Sequence, residues 1–246
     1  FDLPFPPARN PWNTAHHPGG SSSGSGSAVG AGILPAALGT DTGGSVRHPA
    51  SHCGIVVLKP TYGLVSRRGV FPLAFTLDHV GPMTRTAADA ALMLSIIARP
   101  DARDPYALPP EEHGLVVSRG LRGRKIAYAA SYADNPVEAE VESAIAAAAE
   151  RCARLGAEVT PVRPRLDGIW NAFQTLWFSG AAVLLARVPA ARLDELDPGF
   201  RAVAELGKSK SLAEFLAAES ERTEYSSRLS RLLAEMQVVA RAHPMG

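Results

Sequence analysis

The chain has 246 residues, 46% of them hydrophobic, which is enough for a well-buried core. A formal net charge of +1 leaves no basic footprint for nucleic acid and no acidic tail. Two isolated cysteines, Cys53 and Cys152, fit neither a disulfide framework nor a metal site and point to a reducing cytoplasm. The longest apolar run, 176–188, is broken by Ser179, Gly180 and Arg187 and falls short of a bilayer span, so no membrane role is expected.

Residues 1–17 carry Pro4, Pro6, Pro7 and Pro11 without periodicity and read as extended loop. The absence of Met at position 1 and of a secretory signal reads as the middle of a longer protein. Small residues over 22–32 suit a tightly packed helix. A short strand is expected at 36–38, a loop at 39–44, and a fully buried strand at 54–58. Residues 65–70 suggest a hairpin turning at Arg67-Arg68-Gly69. Thr86-Ala87-Ala88-Asp89 caps a helix over 87–98, which Pro100 ends. A βαβ-like unit follows. It has a strand at 125–129, a helix with Pro136 in its first turn and Gly156 as its cap, and a strand at 158–162. From Ile169 the pattern is helical, with breaks at Pro189 and at Asp197-Pro198-Gly199. No internal repeat is visible, and the alternation of strands and helices predicts an α/β fold.

Residues 18–60 are the most unusual stretch. Up to Ser45 it holds mostly Gly, Ser, Ala and Thr, as a flexible linker would. Recurring apolar residues (Ala28, Val29, Ile33, Leu34, Leu38) and the run Gly54-Ile55-Val56-Val57-Leu58 argue instead for a packed framework that brings its backbone close to a ligand. Gly43-Gly44-Ser45 places a hydroxyl after two glycines, whose N–H groups can converge into a nest for negative charge. Hydrolysis of an unreactive amide needs a nucleophile, a proton relay and donors for the developing oxyanion.

Five blocks carry a resemblance: Gly19-Gly20-Ser21-Ser22-Ser23-Gly24, Gly39-Thr40-Asp41-Thr42-Gly43-Gly44-Ser45-Val46-Arg47, Pro49-Ala50-Ser51, Leu58-Lys59-Pro60-Thr61-Tyr62-Gly63 and Leu77-Asp78-His79-Val80-Gly81-Pro82-Met83. In this order they resemble the amidase signature family, over roughly residues 10–98. The resemblance implies a mixed β-sheet core flanked by helices, with no metal and no organic cofactor. It implies a single amidase-signature domain over 1–246, shortened at both ends, with a signature core at 10–98 and a variable helical region at 165–240. Its Ser-cisSer-Lys triad would place the nucleophile at Ser45 and the relay at Ser21, after a cis Gly20–Ser21 peptide. The N–H groups of Thr42, Gly43, Gly44 and Ser45 would form the oxyanion hole. Ser22, Asp41 and Arg47 would support the site, and the hydroxyls of Ser21 and Ser45 are expected within hydrogen-bond reach. Ser23 departs from the family's usual glycine. The family's lysine lies upstream of the first serine; none of the 20 residues before Ser21 is lysine, and Lys59, Lys125, Lys208 and Lys210 lack the matching context.

The implied function is hydrolysis of a small carboxamide to a carboxylate and ammonia or an amine through a seryl acyl-enzyme in the cytoplasm. A homodimer is left open. The alternatives are the A subunit of a tRNA-dependent amidotransferase, releasing ammonia from glutamine, and a non-catalytic fragment that lacks the lysine. Against the first, Phe75-Thr76-Leu77-Asp78-His79 departs from the usual Ser-Ser-Leu-Asp-Gln.

Other motifs are weaker. Gly20-Ser21-Ser22-Ser23-Gly24 fits a nucleophile elbow, but the preceding AHHP makes a poor strand. Gly24-Ser25-Gly26 and Gly207-Lys208-Ser209 are chance echoes of nucleotide and phosphate loops. The seven histidines show no metal spacing, and His79 reads as a packing or hydrogen-bonding residue. Trp170, Phe173, Trp177 and Phe178 fall at helical spacing, which suggests core packing, with one or two rings reaching substrate.

Overall fold

The computed structural model describes residues 5–109, 120–130, 137–164, 168–236 and 238–241. The chain is mixed α/β, as expected, and divides into two compact units, Phe1–Val117 with Trp177–Lys208 and Ser118–Leu176 with Ser209–Gly246.

The first unit carries helix α1 (Ser23–Gly30), strand β1 (Ala36–Asp41), helix α2 (Arg47–Cys53), strands β2 (Val56–Val57) and β3 (His79–Thr84), and helix α3 (Ala87–Ile97). Its antiparallel sheet has the order β1-β3-β2. β1 continues through Gly39, Thr40 and Asp41, which the sequence suggested as loop, because each is paired to β3: with Gly81, Val80 and His79 respectively.

β3 lies where no strand is expected from the sequence, and it holds Pro82, a residue unfavourable in a central strand. The sheet accommodates it at the point where β2 ends. Leu58 N–H donates to Pro82 O at 3.2 Å. Proline has no N–H to return a bond, so the ladder stops at Val57. The strand expected to be fully buried at 54–58 is therefore a two-residue edge, with Val56 36% and Leu58 39% exposed. The turn at 67–70 is present, closed by Val70 N–H to Arg67 O at 3.0 Å, but no strands flank it.

The outer edge of β1 is closed by side chains from the start of α1. Ser22 Oγ accepts from Thr40 N–H at 3.1 Å and donates to Thr40 O at 3.2 Å, while Ser25 Oγ donates to Leu38 O at 2.8 Å. The two serines sit three residues apart and so lie on one side of this first turn. α2, also unforeseen, tolerates Pro49 because first-turn N–H groups have no intrahelical acceptor, and it ends at Gly54 in the left-handed region (φ 66°). α3 begins as the sequence predicts, with Thr86 Oγ1 accepting from Asp89 N–H at 3.1 Å.

Also in this unit are α5 (Ile169–Leu185) from Trp177 onward, a 3-10 helix at Ala190–Glu195, and α6 (Pro198–Lys208). Ala181, Leu185 and Ala204 form a buried cluster there, covered by Leu73, Leu193, Leu196, Phe200 and Val203. The breaks at Pro189 and Pro198 fall where expected.

In the second unit, β4 (Lys125–Ala129) lies between β5 (Glu158–Pro161) and β6 (Val238–Arg241), all parallel. α4 (Ala139–Arg154) connects β4 to β5, and Gly156 (φ 94°) follows it as the cap residue. Pro136 lies outside the described residues. α7 (Leu212–Glu235) opens with a full capping box between Ser211 and Glu214. The helical region expected over 165–240 gives way to β6 at Val238.

Candidate active site

Four pieces of the first unit converge on residues 41–46: the end of β1, the start of α1, the start of α2 and the start of β3. Asp41, the last residue of β1, is 1% exposed. Its Oδ1 accepts from Gly44 N–H (2.8 Å) and Arg47 Nη2 (2.9 Å), and its Oδ2 from Val46 N–H (3.2 Å) and Arg47 Nε (3.0 Å). Burial pushes this carboxyl's pKa up. The Arg47 guanidinium, with the Val46 and Gly44 N–H groups, more than offsets that and holds it below the ordinary carboxylate value. Asp41 and Arg47 thus fix the loop that bears Ser45.

The nest is correspondingly smaller than expected. Gly44 N–H is committed to Asp41, which removes it from the donors available to an oxyanion. The N–H groups of Thr42, Gly43 and Ser45 make no hydrogen bond among the described residues, and Gly43 is exposed. Gly44 itself needs to be glycine. Its φ is +131°, and a Cβ there would lie 2.7 Å from both Cε1 and Nε2 of His48, whose ring lies over it.

The Gly20–Ser21 peptide is cis. Ser21 is exposed and Ser45 half-buried. Their hydroxyls make no hydrogen bond to each other, and Ser22 N–H donates to Ser45 O at 3.2 Å between the two segments. Ser22 Oγ is spent on Thr40, so its support reaches the site through the backbone. No strand precedes Gly20 among the described residues, so the nucleophile-elbow geometry is absent there.

Two further residues define the site. Asp78, 6% exposed, accepts from Thr42 Oγ1 at 2.5 Å, Leu73 N–H at 2.8 Å and Ala74 N–H at 3.2 Å. It ties the loop that bears Ser45 to residues 73–78. In the sequence Asp78 is the lone acidic residue of its block and nothing there assigns it a partner. His79 faces Asp41 across the β1–β3 pair, and its Nδ1 lies 2.5 Å from Leu77 O and 3.3 Å from Asp41 O. Two carbonyl acceptors at Nδ1 require the proton there. Burial first, then the charge of Lys59, keeps the ring's pKa below its ordinary value. Lys59 donates from Nζ to Pro60 O at 2.9 Å.

The aromatic cluster is not uniformly core. Trp170 is 65% exposed and stacks on Phe173, with ring centres 5.6 Å apart. No group of three or more His, Cys, Asp or Glu that could hold a metal exists among the described residues, nor does any helix there have the length and apolarity to cross a membrane.

The chain is 44% identical over 204 residues to the A subunit of glutamyl-tRNA(Gln) amidotransferase from Synechococcus sp. (strain CC9605), covering 80% of this chain and 40% of that one. The solved structure of the A subunit of glutamyl-tRNA(Gln) amidotransferase from Thermotoga maritima is similar with a TM-score of 0.77 at 35% identity, over 94% of this chain and 51% of that one. A bacterial aryl acylamidase of the amidase signature family gives 0.81 at 28% identity, over 94% and 50%. The chain spans about half or less of the length of these proteins. The Amidase family model matches residues 3–243, and the chain belongs to that family.

Proposed function

We propose that the protein hydrolyses a carbon–nitrogen amide bond of a small carboxamide through an acyl-enzyme on Ser45. The observation that carries this reading is the Asp41 clamp. It takes the Gly44 and Val46 N–H groups and leaves those of Thr42, Gly43 and Ser45 without an acceptor among the described residues. Ser45 attacks the carbonyl carbon, and the remaining donors stabilise the tetrahedral oxyanion. Ser21 passes the Ser45 proton to the leaving amine, and water then releases the carboxylate. A serine alone is a weak base, so this relay needs a neutral lysine, which none of the lysines of this chain supplies in a matching position. The two free cysteines suit a cytoplasmic setting.

A second reading, ammonia release from glutamine for a partner protein, is favoured by the 44% identity to an amidotransferase component. Labelling the full-length protein with a fluorophosphonate, beside its Ser45→Ala variant, tests the chemistry. Labelling confined to Ser45, together with loss of nearly all turnover in the variant, is the expected result. Labelling at Ser22, or unchanged turnover, refutes the assignment. Glutaminase activity that appears only with partner subunits selects the second reading.

A further inference from the structure

We propose that Pro49 is a positioning residue for the amidase reaction: its tertiary amide keeps the Ser45 carbonyl out of helix α2 and leaves it to the Ser22 N–H, which sets the spacing of the two serine segments. The inference rests on the amidase reading and adds to it a residue that acts through Ser22 and Ser45.

The hydrogen bonds leading into α2 are the first argument. His48 N–H donates to Gly44 O at 2.7 Å and Ala50 N–H to Val46 O at 3.2 Å, each reaching four residues back as in a regular helix. By the same rule residue 49 would reach Ser45 O. It is proline, which has no N–H to donate and whose ring crowds the carbonyl four residues earlier. Ser45 O accepts instead from Ser22 N–H at 3.2 Å. The skipped rung of the helix thus becomes a backbone bond between the residue after Ser21 and Ser45 itself. Any other residue type at position 49 would bring an N–H to that rung.

Packing is the second. Pro49 is fully buried. A Cβ on Gly19 would lie 2.7 Å from Pro49 N and 2.8 Å from Pro49 Cα, so the chain entering the Ser21 segment runs against the proline backbone. A Cβ on Gly26 would lie 2.8 Å from Pro49 Cβ, so helix α1, which leaves that segment, rests on the same proline. Ser21 and Ser22 lie between these two contacts. On the other side, the His48 ring covers Gly44, the residue before Ser45. Ser22 Oγ is held by Thr40 at 3.1 and 3.2 Å, which fixes residue 22 to β1 while its N–H meets Ser45. His48 and Pro49 therefore stand between the two serine segments, and the bond that Pro49 leaves open joins them.

The test uses the full-length protein with Pro49→Ala, and with N-methylalanine placed at position 49 by cell-free translation from a chemically acylated suppressor tRNA. Alanine keeps Cβ and restores the N–H; N-methylalanine keeps the tertiary amide and lacks the ring. Pro49→Ala should lower kcat for a simple aryl amide by about 10- to 100-fold with KM within about threefold, as a small displacement of the reacting groups would. Exchange of the Ser22 amide hydrogen, followed by NMR on protein with isotope-labelled serine, should become faster by about 10-fold as Ser45 O turns to the new donor. The urea midpoint should hold or rise, because alanine suits a helix better than proline. N-methylalanine should bring kcat and Ser22 exchange back to within about threefold of wild type. Turnover by Pro49→Ala within about twofold of wild type overturns the proposal. So does equal impairment of the two variants, which would assign the role to the ring, and so does slow turnover with unchanged Ser22 exchange. Faster Ser22 exchange in Pro49→Ala, reversed by N-methylalanine, in a protein whose wild type turns over no amide supports the placement of Ser45 by Pro49 and refutes the amidase reading.

Discussion

Replacing Asp41 by asparagine changes one atom and disturbs four hydrogen bonds. The carboxylate accepts from two backbone N–H groups and twice from Arg47, each at 3.2 Å or less. An amide in that place turns one acceptor into a donor, so whichever way it sits, either Gly44 N–H or Val46 N–H faces an NH2 group. Leaving a buried donor unsatisfied costs about 1–3 kcal/mol. Losing the charge opposite Arg47 adds about 1 kcal/mol at most, because Arg47 is 36% exposed and water takes over part of its solvation. The expected loss is about 1–4 kcal/mol, read as a lower urea midpoint at pH 7, with turnover falling alongside because the Ser45 loop loses its anchor. The pH dependence supplies a second reading. A carboxyl whose folded pKa lies below its unfolded value contributes stability that is fully present above about pH 3.9 and disappears as pH falls through the folded value. The gap between wild type and Asp41→Asn should therefore narrow in acid below that point. A loss under about 0.5 kcal/mol, or a gap that is the same at pH 3 and pH 7, refutes the anchoring argument.

Gly39→Ala should destabilise by about 1–3 kcal/mol in urea unfolding, because its Cβ would lie 2.6–2.8 Å from Met83 Sδ, Val46 Cγ1 and Ser22 Oγ. The loss in the Gly39→Ala/Met83→Ala double variant should be smaller than the sum of the two single losses, and a double variant that falls by the full sum would show the crowding to be imaginary. His79, with its folded pKa depressed, contributes stability above about pH 6.5 that fades as pH falls through the folded value. Its imidazole NMR titration should move upward in Lys59→Met, and an unmoved midpoint rules out the electrostatic link to Lys59.

What the sequence disclosed followed the range of the interactions concerned. The Thr86 cap, β4 and the Gly156 cap are set by neighbours within a few residues, and each was readable locally. β3 was hidden because Pro82 disqualifies a central strand by local rules. Only the ending of β2 opposite it, 25 residues earlier in the chain (82 against 57), makes the proline harmless. At the site, the residue types were legible and their bonds were not. Asp41 reads as framework in the sequence, yet nothing there says that its carboxylate takes the Gly44 N–H. Asp78 reaches Thr42 over 36 residues, a partnership that no periodicity announces.

The hydroxyls that close β1 have a consequence for how the protein behaves when loosened. Thr40 offers its N–H and C=O, and Leu38 its C=O, on the side of the strand away from β3, where a second chain could add by backbone pairing. Ser22 and Ser25 occupy those groups at 2.8–3.2 Å. Helix α1 therefore acts as a stopper on a polymerisable edge as well as a carrier of the serine segment. Heat, or a substitution that frays its first turn, would uncover that edge beside Leu38, which is already 47% exposed. Activity and colloidal stability would then decline together, as two readouts of the same turn of helix.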